Sequence, residues 1–207
     1  FGGIIDMNYK VDAATAEELG KTFLEIVMAT DFDADALEIL RKKKNLRIIK
    51  IKNPVSDAQT WVKIDGGMLV QDNASQFSQN IKTVTETQPT DEQQKALLFA
   101  QRVVKYVKSN AIVVSNGKQA LGIGGGQVNR IWATQQAIER AKAKFSGDLV
   151  LASDASFPFR DVVDFCAEQG IKAIIQPGGS VKDEDSITAA NEHKILMLMT
   201  GMRHFFH

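Results

Sequence analysis

The sequence has one cysteine, Cys166, in 207 residues. That excludes an internal disulfide and a zinc site built on paired cysteines. The apolar neighbours Val163 and Phe165 favour a small buried residue at Cys166 over an exposed nucleophile. An excess of either charge is also missing. Lys and Arg total 25, Asp and Glu total 25, and no overall positive field exists to condense on nucleic acid or an anionic membrane. Any anion must be bound locally. Long hydrophobic runs are absent too: Ile195 to Met199 is far too short to cross a bilayer, and the first residues lack the charged and apolar regions of a signal peptide. The cytoplasm is the expected compartment. What is present is an ordinary globular composition, 44% hydrophobic and 24% charged, which argues against a disordered or fibrous chain. A chain of this length buries on the order of 70% of its unfolded surface, so it needs no staples.

Hydrophobic spacing supplies the element order. Leu19, Phe23, Ile26 and Val27 recur at helical spacing behind a capping Asp12, predicting a helix over 13–28; a second is expected over 34–43. Residues 46–51 alternate as a strand. Two short strands, 61–64 and 68–71, flank the turn Asp65-Gly66-Gly67. The polar stretch 73–89 reads as the connection between two lobes. Thr90-Asp91-Glu92-Gln93 has the form of a capping box opening an amphipathic helix through Val107. Strands 111–115 and 119–123 form a hairpin about Asn116-Gly117. Helices then alternate with strands: 128–144, 149–152, 161–169, 171–176, 184–193 and 195–199. Nearly continuous apolar strands alternating with helices imply an α/β fold with a mainly parallel sheet covered on both faces.

In such a sheet ligands gather where strands end. Gly122, Gly124, Gly125 and Gly126 follow a strand and open a helix, so their backbone N–H groups can meet an anion or a flat polar ring; a tight turn of backbone on backbone is the other reading. The spacing matches neither a dinucleotide fingerprint nor a phosphate-binding P-loop. Pro177-Gly178-Gly179-Ser180 reads as a structural turn with Ser180 or Asp183 as cap. Between Ser153 and Asp161, two acids and two aromatics bracket Pro158, a wall and carboxylate suited to a flat heterocycle; Asp161 serves equally well as a helix cap. The tail Arg203-His204-Phe205-Phe206-His207 carries two phenylalanines that are costly to leave in water, so it is expected to pack down and hold Arg203 as a phosphate clamp. No metal site is expected, because the histidines fall in no ligand pattern. His193 reads as a surface residue.

These blocks together resemble the transformylase domain of the bifunctional phosphoribosylaminoimidazolecarboxamide formyltransferase and inosine monophosphate cyclohydrolase family. The likeness runs from Phe1 to His207 through Phe1-Gly-Gly-Ile-Ile5, residues 23–40, Val107-Lys-Ser-Asn-Ala111, Gly122-Ile-Gly-Gly-Gly-Gln127, Ala152-Ser-Asp-Ala155, Phe157-Pro-Phe-Arg-Asp161, Gln176-Pro-Gly-Gly-Ser180 and Arg203-His-Phe-Phe-His207. The resemblance implies transfer of a formyl group from the co-substrate 10-formyltetrahydrofolate to the 5-amine of aminoimidazole carboxamide ribotide (AICAR), in the synthesis of inosine monophosphate. It places Asn110 near the formyl group and His207 at the end of the site. It assigns Gly2, Glu25, Arg203 and Phe205 to the ribotide. Phe1, Ile131, Phe157, Pro158 and Asp161 fall to the folate.

It further implies layered sheets in two cytidine-deaminase-like lobes, expected at 1–88 and 89–207, and a homodimer whose sites lie between subunits. Two departures stand out. Ser156 replaces a phenylalanine common in relatives, thinning the pterin wall. The family's upstream Lys-His pair, with its proton-accepting histidine, and the cyclohydrolase domain are absent from these residues, so the chain is expected to be a fragment without turnover of its own. The alternative is a non-catalytic nucleotide-binding or interaction module of the same fold.

Overall fold

The computed structural model describes residues 1–52, 58–73, 77, 78 and 80–206. Two compact units, Phe1–Asn73 and Ala74–His207, succeed one another along the chain.

In the first unit, β1 (Gly3–Val11), β2 (Leu24–Phe32) and β3 (Arg47–Lys50) form a parallel sheet in that order, joined by α1 (Ala13–Gly20) and α2 (Ala34–Arg41). The Asp12 carboxylate caps α1 by accepting the Thr15 N–H at 2.8 Å. Val27 lies opposite Ile5 and Ile48 in register, and this row packs on Ala16, Ala36 and Leu40 of the helices. The helix expected over 13–28 is therefore two elements, and the break has a physical reason. β-branched Ile26 and Val27 lie in a segment whose backbone pairs with strands on both edges. Leu24, Val27 and Ala29 enter the core while Ile26 and Met28 do not. Strand β1 is a further difference from the sequence pattern, since most of its side chains are exposed and give no apolar alternation. The hairpin β4 (Gln59–Ile64) and β5 (Gly67–Asp72) turns through Asp65-Gly66, with Gly66 at φ +77°, where glycine is favoured. Its large apolar side chains, Trp61, Val62, Ile64, Met68, Leu69 and Val70, are all exposed.

The second unit is built on one mixed sheet. Its strands are β6 (Lys82–Thr83), β7 (Ile112–Ser115), β8 (Ala120–Gly124), β9 (Val150–Ser153), β10 (Ala173–Gln176) and β11 (Leu196–Met199), in the spatial order β6-β11-β10-β9-β7-β8. β9, β10 and β11 run parallel; β6, β7 and β8 are antiparallel to their neighbours, so the sheet is parallel only at its centre. Val113, Ala152, Ile175 and Leu198 point to α3 (Asp91–Val104). Ile112, Val114, Leu151, Ile174 and Met197 point the other way, to α4 (Arg130–Lys142), α5 (Asp161–Glu168) and α6 (Asp183–Glu192). Alternation with period two thus fills a core on each face, each buried Ile, Leu or Val contributing about 1.5–3 kcal/mol. The reciprocal bonds of the capping box form at Thr90 and Gln93, at 3.1 and 3.2 Å. Met197 N–H donates to the Thr85 hydroxyl at 2.9 Å, and Val84 N–H to the Met197 carbonyl at 3.1 Å, so the segment after β6 is fastened to β11. No helix among the described residues is long and apolar enough to cross a membrane.

Strand direction brings the informative loops to one end. The carboxyl ends of β9, β10 and β11 share an edge with the amino end of antiparallel β7 and the carboxyl end of β8, since Ile112 is opposite both Ser153 and Gly124. Residues 109–111, 125–129, 154–160, 177–182 and 200–206 therefore issue from the same end of the sheet.

Strand β8 lies directly on α4. A Cβ on Gly122 would fall 1.8 Å from the Ala137 carbonyl oxygen, and one on Gly124 2.1 Å from that of Ala133. The helix can move aside only by shearing its packed core, so we expect Gly124→Ala to destabilise the second unit by about 2 kcal/mol or more. Gly20, with nothing near its would-be Cβ, provides the contrast: Gly20→Ala is expected to be neutral or to stabilise by about 0.5 kcal/mol. Urea unfolding followed by Trp132 fluorescence for Gly124→Ala, and by Trp61 fluorescence for Gly20→Ala, checks both.

Candidate functional site

The strand-end face of the second unit is organised around a buried carboxylate. Asp154, just past β9, is fully buried, and Arg130, the first residue of α4, is nearly so. The two form an ion pair, and Asp154 Oδ1 also accepts the Ala111 N–H at 3.1 Å. Its Oδ2 accepts from the Ser109 hydroxyl. Arg130 donates onward through one terminal nitrogen to the Ala111 carbonyl at 3.1 Å and through the other to Asn110 Oδ1 at 2.9 Å. Breaking such a pair from one side costs about 3–5 kcal/mol, because a charge is left in the interior without its partner.

Asn110 is held from both ends. Its Nδ2 donates to the Gln127 carbonyl at 2.8 Å while its Oδ1 accepts from Arg130. A carbonyl requires the nitrogen on one side and a guanidinium requires the oxygen on the other, so the amide orientation is fixed by chemistry. The second Nδ2 hydrogen has no partner among the described residues.

The tail is tied to the same cluster. His204 N–H donates to the Asp154 carbonyl at 3.0 Å, and Ser109 N–H to the Phe206 carbonyl at 2.8 Å, answered by Phe206 N–H to the Ser109 hydroxyl at 3.3 Å. The side chain that packs down is His204, against Phe77 at 5.6 Å between ring centroids; Phe205 and Phe206 stay partly exposed. The Arg203 guanidinium lies 5.2 Å from the Phe205 ring centroid, a cation–π contact that restrains an exposed arginine. Just before it, a cavity of about 600 Å³ is lined by Asn80, Lys82, Thr200 and Met202. His207 lies outside the described residues, as do residues 53–57, 74–76 and 79.

The loop after β9 divides its aromatics. Phe157 is fully buried among the core residues beneath the sheet, whereas Pro158 and Phe159 are exposed. The apolar surface that this loop offers a ligand therefore comes from Pro158 and Phe159. Asp161 is exposed at the first position of α5, its Oδ1 accepting the adjacent Val162 N–H at 2.9 Å, and Ile131 is half-buried in the first turn of α4. Arg160 ties this end of α5 to α6 through Asp164 at 2.8 Å and Glu192 at 2.6 Å; Arg160 holds the Asp164 carboxyl down at about 2. In the loop after β10 the N–H groups of Gly179 and Ser180 are taken by Asp183 at 2.7 and 3.2 Å, and that of Gly178 by Gln176 at 2.8 Å. Both glycines have positive φ, as the expected structural turn requires.

In the first unit Glu25 accepts the Gly2 N–H at 2.7 Å, which brings two candidate residues together, and a Cβ on Gly2 would fall 2.8 Å from Glu25 Cγ. Phe1 is exposed. Sequence reasoning does not single out Asp154 and Arg130. Their only signal is position, an acid at a strand end and a cation opening a helix, and neither shows that the other is its partner.

Neither ring nitrogen of His204 has a hydrogen-bond partner among the described residues. Burial, then the Lys105 ammonium, push its imidazole below the ordinary histidine value, opposed by Asp154. The unfolded chain consequently binds a proton more readily than the fold does, and stability falls as pH drops below about 6.5. In His204→Phe this histidine's share of the loss should disappear, giving a flatter melting temperature between pH 7 and pH 5 than in the parent chain.

Residues 1–140 match the family model described as AICARFT/IMPCHase bienzyme. The bifunctional purine biosynthesis protein PurH of Clostridium perfringens is 59% identical over 207 residues, that of Brachyspira hyodysenteriae 58% over 208, and that of Clostridium beijerinckii 56% over 207. Each match takes in the whole of this chain and 40% of the relative, so the chain spans about two fifths of the length of these proteins. On this family match and these identities, the chain belongs to the AICARFT/IMPCHase bienzyme family.

Proposed function

We propose that these residues form part of the site at which a purine-biosynthesis enzyme passes a formyl group from 10-formyltetrahydrofolate to the 5-amine of AICAR. The observation that carries this reading is the match of all 207 residues, at 59% identity, to a relative named for bifunctional purine biosynthesis. The Asn110 amide supports it, being fixed at a strand end with one hydrogen unengaged.

The chemistry sets the requirements. The acceptor amine is conjugated with its ring and weakly nucleophilic. Attack on the formyl carbon turns the carbonyl oxygen into an oxyanion and the amine loses a proton to a base; collapse then breaks the bond to the folate nitrogen, which takes up a proton as tetrahydrofolate leaves. In this reading the free Asn110 hydrogen meets the oxyanion, in an orientation set before the substrate arrives. Arg203 takes the ribotide phosphate, Phe205 packs on the imidazole carboxamide, and Gly2 with Glu25 contacts the nucleotide. Asp161 accepts the pterin N–H groups beside Pro158 and Ile131, while buried Phe157 props the loop from the core side. His207 stands at the end of the site. The base is the histidine of a Lys-His pair, which these 207 residues do not contain. Two cytidine-deaminase-like lobes, a homodimer with sites between subunits, and a cytoplasmic location complete the proposal. The exposed apolar hairpin β4–β5 is consistent with a surface that another chain covers.

In the full-length protein, Asn110→Ala is expected to lower kcat by about 10²- to 10³-fold, as for loss of an oxyanion donor. Arg203→Ala should weaken AICAR binding by roughly 10- to 100-fold through loss of a charge-assisted phosphate contact. The isolated 207 residues should bind AICAR weakly by calorimetry and release no tetrahydrofolate. Turnover by the isolated residues would put the base among them. Binding without turnover in the full-length protein would leave the non-catalytic module as the better reading.

A further inference from the structure

Asn110 is a useful donor only while its amide is held, and the residue that holds the holder is Asp154. Asp154 Oδ1 accepts from Arg130 and from Ala111 N–H, while Oδ2 accepts from Ser109, so one buried carboxylate grips the guanidinium and both chain neighbours of Asn110. Arg130 then presents its other terminal nitrogen to Asn110 Oδ1. We propose that Asp154 is a positioning residue for formyl transfer, acting through Arg130 to fix the Asn110 amide with one N–H aimed at the reacting carbonyl; this rests on the formyl-transfer reading above.

Two physical effects are combined. The first is geometric. With Arg130 unpinned, the Gln127 carbonyl alone restrains the Asn110 side chain, one hydrogen bond on a group with two rotatable bonds, and a donor displaced by about 1 Å can lose on the order of 10²-fold in rate. The second is electronic. A cation on Oδ1 draws density from the amide and strengthens Nδ2–H as a donor at the moment negative charge develops on the substrate oxygen. Asp154 itself is fully buried, so its contribution passes through the other two side chains.

A double-mutant cycle in the full-length protein tests this, with thermal melts to establish that each variant folds. Asp154→Asn should lower kcat by roughly 10- to 100-fold with both KM values changed less than about twofold. In the Asn110→Ala background the same substitution should cost nothing further, since Asp154 would have no amide left to hold. A purely structural Asp154 would give losses that multiply, and that result overturns the proposal, as does an unchanged kcat in Asp154→Asn. If Asp154→Asn fails to fold because Arg130 is stranded, Arg130→Met with Asp154→Asn removes both charges together and takes its place in the cycle, where losses that multiply again overturn the proposal. A wild-type protein without transformylation overturns the functional reading and this proposal with it. An active wild type indifferent to Asp154→Asn overturns this proposal alone.

Discussion

The ion pair between Asp154 and Arg130 is the constraint on which the strand-end face depends. A carboxylate with no solvent access must find donors for both oxygens, and here they come from two stretches distant in sequence from the loop after β9, namely the loop before β7 and the start of α4. Each partner satisfies the carboxylate and is fixed by it in turn. The backbone of Asp154 adds the tail, through His204, so the order of these four segments is concentrated in one residue.

That concentration is possible because of the direction of β7. In an all-parallel sheet the amino end of a strand lies opposite the carboxyl ends where ligands gather. Here β7 runs against β9, which places Asn110 and Ala111 beside Asp154 and within reach of Arg130. The antiparallel departure from a simple alternating α/β pattern is thus what delivers the Asn110 amide to the same end as Arg203, Phe205 and Asp161.

Much of the second unit was legible because its central strands are buried on both sides and α3 opens on an explicit cap. Thr90 with Gln93, the Asn116-Gly117 turn and the continuous apolar run Ile112-Val113-Val114 are local signals that survive folding unchanged. The first unit was less so. Leu19, Phe23, Ile26 and Val27 mimic a helical face, and only the strands on either side of β2, unseen in a local window, make its part of that run β. At the site, residue types at strand ends pointed to Asp161 and Arg203, Asn110 came from the family resemblance alone, and the burial of Phe157 and His204 was not readable. Both are amphipathic or apolar rings in a loop, and which ring turns inward is decided by space in the core. The role of Asp154 was hidden for a related reason, since a single acid in a loop is ordinarily solvated and only its partners reveal otherwise.

The bare backbone of β8 against α4 has one more consequence. At Gly122 and Gly124 no layer of side chains lies between strand and helix, and rigid carbonyls meet rigid main chain. The helix bearing Arg130 is therefore seated hard against the sheet, without the slack that a cushion of methyl groups would give. Natural drift in this region has little room: a single added carbon in the strand would tilt the helix, and its first residue, the guanidinium that steadies the Asn110 amide, would travel with it.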